Sequence, residues 1–139
     1  MDFEPHLGIG PIRFGMNVNE SRSVLGSGFA PFMKSPASVH PTDAYDALGM
    51  HIYYDTAGLC EAIELFPPAV VRLESFNLLA LGYGALLAFC LSHDHDLIED
   101  EVGFTSHVLG LGVYAPDGKE DPTSLCESII VFRQGYYSS

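Results

Sequence analysis

Two stretches of the chain alternate apolar and polar positions in the same order. The first opens Leu48-Gly49-Met50-His51-Ile52-Tyr53 and closes Leu59-Cys60-Glu61-Ala62-Ile63-Glu64-Leu65-Phe66. The second opens Leu109-Gly110-Leu111-Gly112-Val113-Tyr114 and closes Leu125-Cys126-Glu127-Ser128-Ile129-Ile130-Val131-Phe132. Asp- and Gly-rich turns divide each, so both read as β-hairpins, and a match in identity and order reads as a duplicated unit. Period-two alternation puts Leu48, Met50, Ile52 and Tyr54 on a core face, with Leu109, Leu111 and Val113 as counterparts. Leu59, Ile63 and Leu65 match Leu125, Ile129 and Val131, while Phe66 and Phe132 fall on the other side.

Upstream of each hairpin the pattern changes to that of a strand and a helix. Residues 9–14 read as a first strand after a loosely held lead-in over 1–8. Asn17 then caps a helix that ends at Gly26, with Glu20 three residues on as the reciprocal partner. Val18, Val24 and Leu25 supply its apolar stripe, with Glu20 and Arg22 facing water. In the second half, residues 70–76 read as a strand, which 78–81 extend, and 85–92 as a very apolar helix. The Pro- and Gly-rich segment 27–47 reads as one long irregular connection, with Phe29, Phe32 and Met33 pinned on the body. The tail from Arg133, with Tyr136 and Tyr137, reads as leaving the sheet. The expected fold is α+β: a single domain, 1–139, of two tandem strand–helix–hairpin repeats, about 9–66 and 69–134. Their strands form one antiparallel-rich curved sheet with two helices on one face.

Charge narrows the function. Eighteen acidic residues against six basic give −12, which repels nucleic acid and anionic membrane surfaces and suits a basic protein partner. Hydrophobic residues make up 47% of the chain, enough for a packed core, and no apolar run reaches the ~20 residues of a membrane helix. The acidic opening is unlike a signal peptide, so a cytoplasmic location is expected. Cys60, Cys90 and Cys126 read as buried small hydrophobes. A Cys60–Cys126 bridge requires the repeats to pair face to face, and a reducing compartment disfavours it.

Tyr53 and Tyr114 occupy equivalent places opposite the core face. With the acids of the segment after the second helix (Asp94, Asp96, Glu99, Asp100 and Glu101), they form the candidate partner-binding set, because rings supply area and carboxylates supply steering. His93 and His95 project to one side of an extended segment, a weak metal alternative, since two imidazoles fall short of the three or four ligands zinc uses. His51, whose counterpart is Gly112, points to an asymmetric small-ligand pocket between the repeats. Glu61 and Glu127 join it as a carboxylate pair, or else serve as structural groups. No Gly-x-Ser-x-Gly elbow or phosphate loop is present, so neither catalysis nor a cofactor is expected.

The phrase Gly10-Pro11-Ile12-Arg13-Phe14-Gly15-Met16, followed by Glu20, Val24, Leu25 and Gly26, resembles the opening of small uncharacterised bacterial proteins, among them immunity proteins of polymorphic toxin systems. The Gly-Met…Leu-Gly segment is also similar to one in the beta-lactamase inhibitory protein family. The resemblance implies an α+β inhibitor-type domain that binds a cognate protein. The chain's acidity would suit a basic nuclease toxin.

Overall fold

The computed structural model describes residues 1–33 and 35–137. A three-stranded meander, β1 (Phe3–Glu4), β2 (Gly8–Ile9) and β3 (Ile12–Arg13), precedes helix α1 (Val18–Leu25). Four strands follow: β4 (Ala30–Phe32), β5 (Thr42–Tyr45), β6 (Met50–Tyr54) and β7 (Cys60–Leu65). A short hairpin, β8 (Arg72–Leu73) and β9 (Phe76–Asn77), leads to helix α2 (Tyr83–His93). Four more strands close the chain: β10 (Ile98–Asp100), β11 (Gly103–Ser106), β12 (Leu111–Tyr114) and β13 (Ser128–Phe132).

The last four strands of each half form one antiparallel eight-stranded sheet, ordered β10-β11-β12-β13-β7-β6-β5-β4. At its centre β7 and β13 pair Leu65 with Ile129, Glu64 with Ile130 and Ile63 with Val131. Met50, Ile52, Ile63 and Leu65 lie fully buried in one cluster with Leu111, Val113, Ile129 and Val131, as their alternation requires. Both helices cover this face. Tyr83, Leu86 and Cys90 of α2 belong to the same cluster, and Val18 and Leu25 of α1 pack against it. No helix among the described residues is long and apolar enough to cross a membrane.

Local chemistry explains where α1 begins and ends. Asn17 accepts from the Glu20 N–H at 2.8 Å, and Glu20 accepts from the Asn17 N–H at 3.0 Å, which completes the capping box. Gly26 closes α1 at φ +88°, donating to the Arg22 carbonyl. The turn into β6 uses Gly49 at φ +70°, where a Cβ would sit 2.0 Å from the Phe66 carbonyl oxygen. Gly110 does the same before β12, at φ +70° with the Phe132 oxygen 2.8 Å away. Only glycine fits either turn.

The structure corrects several expectations. Segment 27–47 is not one irregular connection, since it holds β4 and the wholly buried β5. Arg22 is not left free in water but is half-buried. It donates twice to Asp43, at 2.9 and 2.8 Å, and the fully buried Asp43 also receives the Tyr54 hydroxyl at 3.0 Å. A carboxylate at that depth needs such partners, because breaking a buried pair costs about 3–5 kcal/mol. Phe29 is held by Tyr45 at 5.7 Å and by the Arg22 guanidinium at 4.2 Å, but Phe32 and Met33 are exposed. Residues 1–8 are tied down through β1 and buried Phe3. Residues 9–14 form the arms of a tight turn, and 70–81 fold as a hairpin followed by a single 3-10 turn. Leu48, Leu59 and Leu125, placed on the core face by alternation, are exposed, and Val24 also leaves the apolar stripe of α1.

Candidate functional site: the uncovered sheet face

With both helices on one side, the other face of the sheet is left uncovered by any helix among the described residues. Cross-strand pairing runs one row of side chains over all eight strands: Ala30, Ala44, His51, Glu64, Ile130, Gly112, Thr105 and Ile98. Glu64 sits near the middle. It accepts the Tyr53 hydroxyl at 2.8 Å and the Ser128 hydroxyl at 3.1 Å. The His51 Nδ1 lies 3.6 Å from the same carboxylate, and its Nε2 contacts Asp46 at 2.8 Å. Phe32 and Phe66 set their rings edge-on to the imidazole, at 5.5 and 5.0 Å. His51 is thus hydrogen-bonded at Nε2 and flanked by two aromatic rings.

Across Glu64 the strand that balances β6 carries Gly112, and a hollow of about 370 Å3 opens there. Tyr53 and Tyr114 line it with Glu64, Ser128, Ile130 and Asp100. The tail closes another side. The Tyr136 N–H bonds the Arg133 carbonyl at 3.1 Å, with Gly135 at φ +86° in the turn. Tyr136 and Tyr137 pack on Phe132 at 5.7 and 4.9 Å and bury it. The tail therefore returns onto the sheet through Tyr137, contrary to expectation. Burial, then the bond to Glu64 and its charge, raises the Tyr53 phenol far above its ordinary range, and burial raises Tyr137 as well. These rings are neutral hydrogen-bonding surfaces at ordinary pH.

A second hollow of about 570 Å3 lies on the far side of Tyr53, lined by His40, Asp55, Glu61 and Arg133. The Arg133 guanidinium reaches Asp55 at 3.4 Å and Glu61 at 3.3 Å. Here the chain supplies its own cation.

The sequence-derived candidates are dispersed. Tyr53, Tyr114 and Asp100 meet at the smaller hollow. Asp94 does not, being buried at the C-terminus of α2, where it accepts the Ser106 hydroxyl at 2.8 Å and the Asp96 N–H at 3.0 Å. Asp96, Glu99 and Glu101 are exposed, but Glu99 pairs with Phe104 and so points away from Asp100. Of His51, Glu61 and Glu127, only Glu61 lines either of these two hollows. Antiparallel register sets Glu61 beside Arg133 at one end of the β7–β13 pair, while Glu127 lies beyond the Ile129–Leu65 rung at the other. They form no carboxylate pair. His93 meets Glu74 at 2.8 Å, and among the described residues no three His, Cys, Asp or Glu side chains converge as a metal site. The three cysteines are free and buried; burial pushes Cys60 and Cys90 up to about 12 and Cys126 to about 11.

Glu64, Tyr136 and Tyr137 are the members that sequence reasoning missed. Alternation carried a signal for Glu64, which stands beside Phe66 on the strand side opposite Ile63 and Leu65. Compared with family models, curated proteins and solved structures, the chain matches none.

Proposed function

We propose that the chain is a non-enzymatic binding module, an immunity-like inhibitor whose uncovered sheet face engages a basic protein such as a nuclease toxin. One observation carries this reading: a tyrosine-lined face on a chain whose described basic side chains all pair internally. Arg13 meets Glu4 at 2.8 Å, Arg22 meets Asp43 at 2.8 Å, Arg72 meets Asp2 at 3.9 Å, Lys119 meets Glu101 at 3.8 Å, and Arg133 meets Asp55 and Glu61. The surplus of acid is left to act outward, and long-range attraction then steers a basic partner toward rings that supply contact area.

The two halves, about 9–66 and 69–134, are in this reading copies of one unit. Its support is the register: Tyr45–Met50 and Ser106–Leu111, Ile52–Ile63 and Val113–Ile129, Ala30–Ala44 and Ile98–Thr105 correspond rung for rung about the Glu64–Ile130 pair. Duplication builds a face too wide for a single unit. A second reading, a small ligand held between the halves, is favoured by the 570 Å3 hollow beside Glu61.

The test is capture from a bacterial lysate at low salt, followed by association kinetics with the purified candidate. A stoichiometric basic protein whose on-rate falls steeply with salt, and whose affinity drops at least about tenfold for Tyr53→Ala or Tyr114→Ala, supports the reading. Salt-independent binding, or binding indifferent to both tyrosines, sinks it.

A further inference from the structure

The two hollows flanking Tyr53 differ in one respect that points to a ligand. In the larger, the carboxylates of Asp55 and Glu61 already hold the Arg133 guanidinium. In the smaller, among the described residues no lysine or arginine pairs with Glu64 or Asp100. Four tyrosines, Tyr53, Tyr114, Tyr136 and Tyr137, share its wall with Ser128, Thr105 and Ile130. Ring faces and carboxylates together form the environment in which an organic cation is stabilised twice, by the ring quadrupole and by charge.

Geometry supplies the room. On the β6 side of Glu64 the row is filled by the His51 ring, whereas on the β12 side Gly112 leaves it open. An added Cβ at Gly112 would come within 3.0 Å of Ile130, so even alanine would crowd the floor. Glu64 keeps acceptor capacity, because each oxygen has two lone pairs and each takes one hydroxyl here. Among the described residues the Asp100 carboxylate likewise accepts from the Val102 N–H alone, at 2.9 Å, through one oxygen. The size also agrees: about 370 Å3 lies near the low end of ligand cavities.

We propose that the hollow bounded by Tyr53, Tyr114, Tyr136, Tyr137, Glu64 and Asp100 is a cage for an alkylammonium or guanidinium group, the anchoring lysine or arginine side chain of a protein partner. The inference rests on the reading of this face as a protein-binding surface and names the group that surface selects. The Arg133 site next door, where a guanidinium lies between Asp55 and Glu61 in a hollow that Tyr53 also lines, shows the carboxylate part of that contact within the chain.

The test is an amide-resolved NMR titration of the full chain with n-butylammonium, n-butylguanidinium, tetramethylammonium and neutral n-butanol. Saturable shifts centred on Gly112, Tyr114 and Ser128 are expected with the first two cations and absent with butanol. Tyr114→Ala, and the isosteric Glu64→Gln and Asp100→Asn, should each weaken binding at least about threefold without altering the rest of the spectrum. Equal binding of butanol, shifts spread evenly over all the acidic loops, or indifference to Glu64→Gln overturns the cage. Tightest binding of tetramethylammonium, which offers no N–H, overturns the side-chain assignment in favour of a small quaternary ammonium ligand. The two readings fail separately. A basic partner captured equally by the wild type and Tyr114→Ala, Glu64→Gln or Asp100→Asn removes the cage but leaves the acidic face as a binding surface. Saturable butylammonium binding without any basic partner leaves the cage and removes the protein anchor.

Discussion

Burial keeps the three thiols protonated, and it does so in the folded chain only. Cys60 is fully buried and its thiol is pushed up to about 12, against 9.0 for an exposed one, with Cys90 at about 12 and Cys126 at about 11. Tyr53 and Tyr54 are raised from 10.0 for the same first reason, burial. As pH climbs past the unfolded value, the unfolded chain releases protons that the folded chain retains, so the native state loses ground. This contribution to stability is intact below about pH 9 and is lost progressively toward pH 12, by at most about 1.4 kcal/mol per pH unit for each thiol. Urea unfolding at a series of pH values should show a decline that begins near pH 9, and Cys60→Ala should make it shallower. A flat profile up to pH 11 would mean that the thiols are not held in a low-dielectric interior.

The two helices are held by different forces. In α1 only Ser21 is buried and Val24 is half exposed, so packing contributes little and the ends matter. In α2 no side chain caps the start, but Tyr83, Leu86 and Cys90 are buried. Asn17→Ala should therefore cost about 1 kcal/mol by denaturant unfolding, with faster amide exchange confined to α1. Unchanged protection there would show that the Arg22–Asp43 contact holds the helix unaided. Both helices were legible, the first from its capping box and the second from its apolar run. So were β6, β7, β12 and β13, whose apolar residues keep mostly to the core face apart from an irregularity in the β6–β7 pairing at Tyr53 and Tyr54. The outer strands were not. Buried β5 reads Thr-Asp-Ala-Tyr, and Asp43 looks like a loop residue until Arg22, 21 positions earlier, is seen to neutralise it. Edge strands β4 and β10 are exposed throughout, so no periodic pattern marks them, and Pro31 and the acids of β10 discourage pairing with a further strand. The site divides in the same way. Tyr53, Tyr114 and Asp100 were readable as types, but the return of Tyr136 and Tyr137 depends on a turn at Gly135 that leaves no periodic trace.

At the scale of the whole molecule, charge should act in opposite directions on folding and on association. A net charge of −12 on 139 residues makes the compact state repel itself. The opposing local pairs are few, and most are half exposed: Arg13–Glu4 has side chains 42% and 49% exposed, and Lys119–Glu101 41% and 94%. Pairs of that kind contribute about 0–1 kcal/mol and are themselves screened. The Arg22–Asp43 pair, with its carboxylate fully buried, is shielded from salt. Screening should therefore relieve more repulsion than attraction. As the Debye length shrinks from about 30 Å at 0.01 M to about 3 Å at 1 M, the melting temperature in sodium chloride should rise. Over the same range the association rate with a basic partner of the proposed kind should fall, because the field that strains the fold is the field that would steer such a partner. Both can be followed on one preparation, by thermal unfolding and by stopped-flow tyrosine fluorescence. A melting temperature that falls with salt would place the stabilising electrostatics in the surface pairs, and the acid surplus would then be no more than a solubilising coat.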